Sequence, residues 1–391
     1  MSVIWEPRLG AEDELWRDIA RQTTREHFAP IAAEIDAAGR YPWESVEVLR
    51  TTGLAGMFVP KEYGGGGVSL TALCAVLEEV AYGCASTCGI LAVYLLGANP
   101  LIEAGTDEQK DLYLRGMSER GEGISFGLTE RGAGSDATAI ETTAVREADG
   151  YHIRGEKWFI GNGGASSHYV IFAKTRPEAG ARGITAFMVD GSAEGVVVDQ
   201  YLDKMGIRGT RTSNVKLDTW VPESAVLGHE GGGLRIALST LEIGRLALAG
   251  QAIGLSRAAY DEASRRAVHR VAFGAPIIEN QGVAFKLADM ATEITAGRIV
   301  MYEAARTYDE GGSVSTLGPI TKLFTSEVCK RAVDDAVQIF GGDGFCRPTP
   351  VERYYRDQRA MEIYEGTSEI IRMILGRAVR REAQDGPERA A

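Results

Sequence analysis

The middle of the chain constrains the fold most, because from Gly123 to about Gly228 strand-like runs follow one another with no helical period between them. The runs at residues 169–173 and 184–189 are rich in β-branched and aromatic residues, and turn residues separate them. Asp149-Gly150 is a strong hairpin signal. Parallel strands need long crossovers that are usually helical. The segment therefore predicts an antiparallel sheet, and it does not indicate the strand–glycine–helix unit of a nicotinamide-dinucleotide fold.

Helical patterns lie on both sides of this sheet. Apolar residues recur at helical spacing from about Glu12 to Arg120, apart from a four-glycine loop at residues 64–67, and again from Gly232 to a terminal helix that begins near Ile370. A chain of 391 residues is too long for one ordinary core. The sequence predicts an α+β protein with three domains: a helical N-terminal domain (residues 1–122), a middle β-domain (123–231) and a helical C-terminal domain (232–391).

Composition narrows the class of function. The formal net charge of −12 argues against a nucleic-acid partner, because phosphate binding needs clustered lysines and arginines. The N-terminal residues do not form a signal-peptide pattern, and no apolar run predicts a membrane span. The five cysteines and five histidines follow neither a zinc spacing nor a disulfide pattern, so no metal site is predicted and a reducing cytoplasm is the expected compartment.

Two short stretches contain candidate functional side chains. Glu365 lies among apolar and aromatic neighbours just before a helix, for which Thr367 or Ser368 is the predicted N-cap. A carboxylate in an apolar setting can accept a proton near neutral pH, although a single glutamate is more often an ordinary exposed loop residue. Arg245 lies in a stripe of leucines, with Glu242 nearby. This pair is equally well explained as a local ion pair and as polar groups at the rim of a ligand channel.

Five motifs, taken together, resemble the acyl-CoA dehydrogenase family of flavoproteins. The resemblance covers nearly the whole chain, from about residue 16 to residue 381. Any one motif is weak, but five in the family's order and spacing are specific. They are Leu128-Thr129-Glu130-Arg131-Gly132-Ala133-Gly134-Ser135-Asp136, Lys157-Trp158-Phe159-Ile160-Gly161-Asn162-Gly163, Arg270-Val271-Ala272-Phe273-Gly274 with Gln281, Asp335-Ala336-Val337-Gln338-Ile339-Phe340-Gly341-Gly342, and Ile363-Tyr364-Glu365-Gly366-Thr367.

The resemblance implies a fold and a cofactor. The fold is an N-terminal helical domain, a middle antiparallel β-domain and a C-terminal four-helix bundle, assembled as a homotetramer, with FAD between the β-domain and the bundle. Phe126, Leu128 and Thr129 would border the isoalloxazine ring, and Phe159 would pack on it. The other positions that the resemblance assigns to FAD, some of them reaching it from a partner subunit, are Gly134, Ser135, Gly161, Arg270, Phe273, Gln281, Gln338, Ile339, Gly341, Gly342, Thr367 and Glu369.

The resemblance also implies the reaction. Glu365 matches the family's catalytic base, and no rival base exists on the long helix, because the position that carries it in some members is Gly244 here. The base would remove the α-proton of an acyl-CoA thioester while flavin N5 accepts the β-hydride. This favours the ligand-channel interpretation of the arginine–glutamate pair. The residues implied to contact the substrate are Ser135, Glu242, Arg245 and Gly366.

Several functions are compatible with these motifs. The leading hypothesis is an acyl-CoA dehydrogenase that passes its electrons to an electron-transfer flavoprotein. The same reaction on an acyl chain tethered to a carrier protein fits equally well, since both substrates present a phosphopantetheine thioester. Two further hypotheses are a flavin oxidase or monooxygenase on the same fold and a helical scaffold that has lost its cofactor.

One motif position departs from the family pattern and touches the chemistry. Most members carry threonine or serine where this chain has Gly161, and that hydroxyl hydrogen-bonds flavin N5. Glycine cannot supply the bond, so either water or a backbone group replaces it, or the reactivity of the flavin differs. A structural explanation is that Gly161 merely permits a tight turn.

Overall fold

The structure is a computed structural model that describes residues 3–385, and these residues form two compact units. The first unit contains residues 3–24, 70–85 and 245–385, and the second contains residues 25–69 and 86–244. The helices of the predicted N-terminal domain are therefore divided between both units. The two units are defined by packing, which joins helices that are distant in the chain. The three predicted domains are defined by composition along the chain, so the bounds of these domains stay a prediction.

Helices account for most of the described chain, and their long members agree with the apolar periodicity. Thr106 and Gln109 form a capping box at a helix start, with Gln109 N–H donating to Thr106 Oγ1 (3.2 Å) and Thr106 N–H to Gln109 Oε1 (2.9 Å). π-helical segments at Lys110–Leu114 and Gly116–Arg120 continue this helix. The α-helices are α1 Ala11–Thr23, α2 Ala32–Ala38, α3 Trp43–Thr51, α4 Leu70–Gly83, α5 Ala85–Ala104, α6 Asp107–Gln109, α7 Gly233–His269, α8 Gln281–Asp309, α9 Leu317–Phe340, α10 Gly342–Phe345, α11 Pro350–Gln358 and α12 Ser368–Asp385.

The second unit contains the predicted sheet, whose strands are β1 Ile124–Gly127, β2 Thr143–Glu147, β3 Gly150–Gly161, β4 His168–Lys174, β5 Ile184–Asp190, β6 Val196–Tyr201, β7 Thr212–Pro222 and β8 Val226–Leu227. The strands run in the order β6-β7-β3-β2-β4-β5-β8, with β1 paired to β4. Most pairings are antiparallel, but β1 and β2 each pair with β4 in parallel, so the sheet is mixed. A two-residue turn at Ala148 and Asp149 joins β2 to β3, so the predicted hairpin is present, with its turn one residue before the Asp149-Gly150 pair.

Strands β2, β7 and β8 were not predicted. In β7 the buried residues Val215, Leu217 and Val221 alternate with exposed polar and aromatic residues, a period-two signal that is visible in the sequence. These side chains belong to one buried cluster with Ile171 of β4 and Phe187 of β5, which lie further along the sheet. Strand alternation therefore sends one face of the sheet into the core of this unit.

The first unit is helical, and α8 packs against α9 and α4 within it. Its interior contains a charge network around Glu78 of α4, which forms ion pairs with Arg257 (2.7 Å) and Arg298 (3.0 Å) and accepts a hydrogen bond from the Tyr302 hydroxyl (2.9 Å). Buried charges need such partners, because an unpaired buried charge is strongly destabilising. A two-stranded hairpin of β9 (Val271–Ala272) and β10 (Ala275–Pro276) joins α7 to α8.

Helices α5 and α7 are long and apolar enough to cross a membrane by length and composition, although the sequence analysis predicts no membrane span. Of the most apolar stretch, 78% in α5 and 72% in α7 is buried inside the protein. Packing therefore accounts for the apolar character of both helices.

Candidate active site

The stretch that contains Glu365 is a turn that leads into α12. Glu365 and Gly366 adopt left-handed backbone conformations, with φ of 57° and 95°. Thr367 is the N-cap of α12, because its Oγ1 accepts a hydrogen bond from the N–H of Ile370 (3.3 Å), which confirms one of the two predicted caps. A left-handed glutamate costs about 1–2 kcal/mol, and such strain is concentrated at functional sites.

The Glu365 carboxyl is buried among charged groups. Its Oε2 is inaccessible to solvent and accepts no hydrogen bond among the described residues. Arg245, only 7% exposed, donates from Nε to the backbone carbonyl of Glu365 at 3.5 Å. Burial raises the pKa of Glu365 to about 7, and the positive charges of Arg245 and Lys322 oppose this increase. A carboxyl with this pKa suits general-base work near neutral pH.

Lys322 is a site residue that was not predicted from the sequence. It lies on α9, is fully buried, and donates from Nζ to the carbonyl of Gly366 at 2.7 Å. Burial lowers the pKa of Lys322 to about 8, although the nearby Glu365 charge favours its protonated form. Nothing in the sequence distinguishes it, because a lysine on an amphipathic helix is usually exposed.

Polar contacts hold the turn from the side of α7. The Tyr364 hydroxyl donates to Gln251 Oε1, and Gln251 Nε2 donates in turn to the carbonyl of Ala85 (3.0 Å). Gln251 is almost completely buried. The backbone on the N-terminal side of Glu365 is therefore fixed by a hydrogen-bonded chain that burial protects from water.

The second unit brings another group of predicted residues together where β1 lies close to β3. The backbone N–H of Trp158 donates to the Thr129 carbonyl at 2.8 Å. The ring of Phe126 packs on Phe172, with centroids 5.0 Å apart, and Leu128 is buried. Phe159 is 60% exposed and left-handed, with φ of 58°. The result is an apolar surface with an exposed aromatic ring at its edge.

A buried ion pair fixes this part of the second unit. Lys157 Nζ donates to Glu130 Oε1 (2.6 Å) and to the Leu128 carbonyl (3.3 Å). The Glu130 carboxylate also accepts the backbone N–H groups of Glu141 and Thr142. Both charged residues lie within the motifs that carry the resemblance, but no role was predicted for either. They connect the loop after β1 to β3.

A neighbouring side chain, and not a turn, explains why position 161 is a glycine. It ends β3 as an ordinary strand residue, while Asn162 and Gly164 carry the positive φ angles of the following turn. A Cβ at Gly161 would lie 2.6 Å from Val93 Cγ2 of α5. The Gly161 carbonyl accepts a hydrogen bond from Ser125 Oγ at 2.7 Å. The Val93 side chain therefore occupies the space that a larger residue would need.

The remaining predicted residues form separate surface groups. In the second unit, Gly134 and Ser135 are exposed in the loop after β1, and Glu242 is half-buried near the start of α7. In the first unit, the β9–β10 hairpin and the two helix ends beside it carry Arg270, Phe273 and Gln281, all exposed, and Phe273 is left-handed. The end of α9 and the turn after it carry Gln338, Ile339, Gly341 and Gly342, and Glu369 is exposed on α12.

The side chains of the second-unit group fit a flavin. An isoalloxazine ring needs apolar contacts on its faces and polar contacts at its edge. Phe126, Leu128 and Phe159 can provide the apolar contacts, and the Thr129 hydroxyl can provide a polar one. A Cβ at Gly134 would meet nothing within 4 Å, so the loop backbone is open to a phosphate-bearing ligand.

Comparison with known proteins covers nearly the whole described chain. Models of the three domains of acyl-CoA dehydrogenases match it in order: the N-terminal domain at residues 10–120, the middle domain at 125–220 and the C-terminal domain at 231–380.

Individual relatives match over nearly their full lengths. A 3-(aryl)acrylate reductase of Clostridium sporogenes is 39% identical over 93% of this chain and 97% of its own, and an acyl-CoA dehydrogenase of Bacillus subtilis is 38% identical over 94% and 97%. The solved structure of butyryl-CoA dehydrogenase from Megasphaera elsdenii is 36% identical, with a TM-score of 0.94 over 96% of this chain and 100% of that chain.

Proposed function

Because this chain belongs to the acyl-CoA dehydrogenase family, we propose that it is an FAD-dependent enzyme that oxidises the α,β-bond of an acyl-CoA thioester, with Glu365 as the base. The observation that carries this proposal is the buried carboxyl of Glu365, whose pKa is about 7 and whose Oε2 has no hydrogen-bond partner within residues 3–385. Such a group can take a proton from carbon at neutral pH without first losing a hydrogen-bond partner.

The Glu365 carboxylate removes the α-proton of the thioester in this proposal. The negative charge that develops on the thioester oxygen needs a donor, and the backbone N–H of Glu365 donates to no backbone carbonyl among the described residues. Arg245 and Lys322 keep two positive charges beside the site. Their charges favour the ionised form of the base.

FAD, when bound, supplies the acceptor for the hydride that leaves the β-carbon. In the second unit, Phe126, Leu128, Thr129, Phe159 and Gly161 would contact the flavin ring, and Gly134 and Ser135 the phosphate side. In the first unit, the exposed residues of the α7–α8 connection and of the α9 end would hold the adenosine half, and Thr367 and Glu369 would lie over the cofactor. These first-unit residues are Arg270, Phe273, Gln281, Gln338, Ile339, Gly341 and Gly342.

The substrate and its partners complete the proposal. Ser135, Glu242, Arg245 and Gly366 would contact the thioester and its pantetheine arm. Reduced flavin must be reoxidised, for which an electron-transfer flavoprotein is the proposed acceptor. We also propose a homotetramer located in the cytoplasm.

The reverse reaction is the second candidate, and the reductase of Clostridium sporogenes favours it by its name and its 39% identity. The same groups serve both directions, since a base that removes the α-proton is also the acid that returns it. The redox partner then decides the direction.

An anaerobic titration with a panel of saturated acyl-CoA thioesters tests the proposal. The yellow protein should lose its flavin absorbance with its preferred substrate, and Glu365→Gln should keep the flavin but lose this bleaching. Glu382→Gln, an exposed residue of α12, is the matched control and should bleach like the parent.

Different results would identify different functions. Full bleaching by Glu365→Gln would remove this residue as the base. Bleaching only by carrier-protein thioesters would assign the tethered substrate, and stoichiometric peroxide in air would assign an oxidase. Flavin reoxidation by 2-enoyl thioesters, without bleaching by saturated ones, would assign the reductase direction.

A further inference from the structure

We propose that Lys322 is a positioning residue for the base: it holds the Glu365–Gly366 turn through the Gly366 carbonyl and keeps the Glu365 carboxyl ionised. This inference rests on the proposed function, because it assigns the role of Lys322 through Glu365. Lys322 itself need not touch the substrate or the cofactor.

The first observation is the contact between Lys322 and the turn. Its Nζ lies 2.7 Å from the carbonyl oxygen of Gly366, the residue that follows the base. Glu365 and Gly366 both have left-handed backbone conformations. A residue with a side chain, such as Glu365, adopts this conformation only when its surroundings enforce it. A charged donor on the carbonyl fixes the orientation of the peptide that follows Gly366, and with it the end of the turn.

The second observation is that burial alone does not explain a lysine at this position. Lys322 is fully buried on a helix whose exposed positions could have carried it, and desolvation opposes its charge. An apolar residue of similar length would fill the space without this penalty. Lys322 therefore carries a charge at a position where burial disfavours charge, which is typical of functional positions.

The charged groups around Lys322 come from several elements. Glu365 lies on the turn and Arg245 on α7, while Glu362 and Glu369 lie before the turn and on α12. Arg245 is the second cation near the base and repels Lys322, whereas the three carboxylates attract it. Of these carboxylates, Glu365 has the largest effect on the pKa of Lys322, while Arg245 affects the pKa of Glu365 more than Lys322 does.

Removing the charge should make the base harder to ionise. An opposite charge within about 4–6 Å lowers the pKa of a carboxyl by about 1–3. Without Lys322, the acid limb of the rate of flavin bleaching should move to higher pH by about one unit, at the low end of this range because Arg245 remains and has the larger effect on Glu365. At a pH below the pKa of the base, a one-unit shift makes the bleaching reaction about tenfold slower.

Three variants separate charge from hydrogen bonding. Lys322→Gln can still donate to Gly366 but has no charge, Lys322→Met has neither, and Lys322→Arg keeps both. The acid limb of the bleaching rate should shift to higher pH in Lys322→Gln and Lys322→Met. In Lys322→Arg it should lie where it does in the parent. Lys330→Gln, an exposed position on the same helix, is the control and should leave the limb unchanged.

A second readout follows the carboxyl directly, by infrared difference spectroscopy of the holoenzyme against pH. The acid C=O band that disappears in Glu365→Gln should persist to higher pH in Lys322→Gln than in the parent. Unchanged bands and an unchanged limb in Lys322→Gln would overturn the inference, even where the variant is less stable. If instead Glu365→Gln still bleaches fully, the proposed function fails and not merely the role of Lys322.

Discussion

The Glu365→Gln substitution should stabilise the protein increasingly as pH rises. The folded chain raises the pKa of this carboxyl from its ordinary value of 4.5 to about 7, because burial disfavours its charge. Between these two values the folded state binds more protons at Glu365 than the unfolded state does. Its contribution to stability is therefore present below the unfolded value and is lost as pH rises through the folded value.

The magnitude follows from the distance between the two pKa values. They lie about 2.5 pH units apart, and each unit is worth about 1.36 kcal/mol, so ionisation destabilises the parent by about 3 kcal/mol at high pH. Gln has no such titration. The difference in unfolding free energy between variant and parent should therefore widen by about 2 kcal/mol between about pH 5.5 and 8.5.

Urea unfolding of parent and variant at a fixed protein concentration, over a series of pH values, measures this difference. Comparing how steeply the unfolding free energies of parent and variant change with pH removes any constant effect of the substitution on packing. Glu382→Gln, exposed on α12, should run parallel to the parent. If the Glu365→Gln curve also runs parallel, the carboxyl is not held neutral by burial, and the argument for a tuned base fails.

Three further predictions follow from the packing. Gly161→Thr should destabilise by about 1–3 kcal/mol in thermal unfolding, because its Cβ would meet Val93, and Val93→Ala should recover most of this loss; an unrelieved loss would contradict the clash. Lys157→Met should cost about 3–5 kcal/mol in urea unfolding by leaving a buried Glu130 carboxylate unpaired, and adding Glu130→Gln should reduce the loss rather than increase it. Thr367→Ala should cost about 1 kcal/mol through the lost cap, whereas Thr367→Ser should stay near the parent's unfolding midpoint.

Local patterns in the sequence predicted the elements well where their periodicity was strong. The start of α12 was predicted from its cap residues, and the hairpin from Asp149-Gly150. Strand β2 was missed because it is short and mostly exposed, and the parallel pairing of β1 with β4 is a long-range choice that no local signal encodes. Helix α11 was missed because its nine residues are rich in charge.

The sequence by itself determined the α–β–α order and, through five motifs in fixed order, the family. Cap residues, periodicity and turn signals act between neighbours in the chain, so they can be read without a structure. Only the tertiary structure decided the environment of the base. Arg245 lies 120 residues before the carbonyl it contacts, and Lys322 lies 44 residues before the carbonyl to which it donates. The pKa of a buried carboxyl depends on desolvation and on charges across space, and these exist only once the helices have packed.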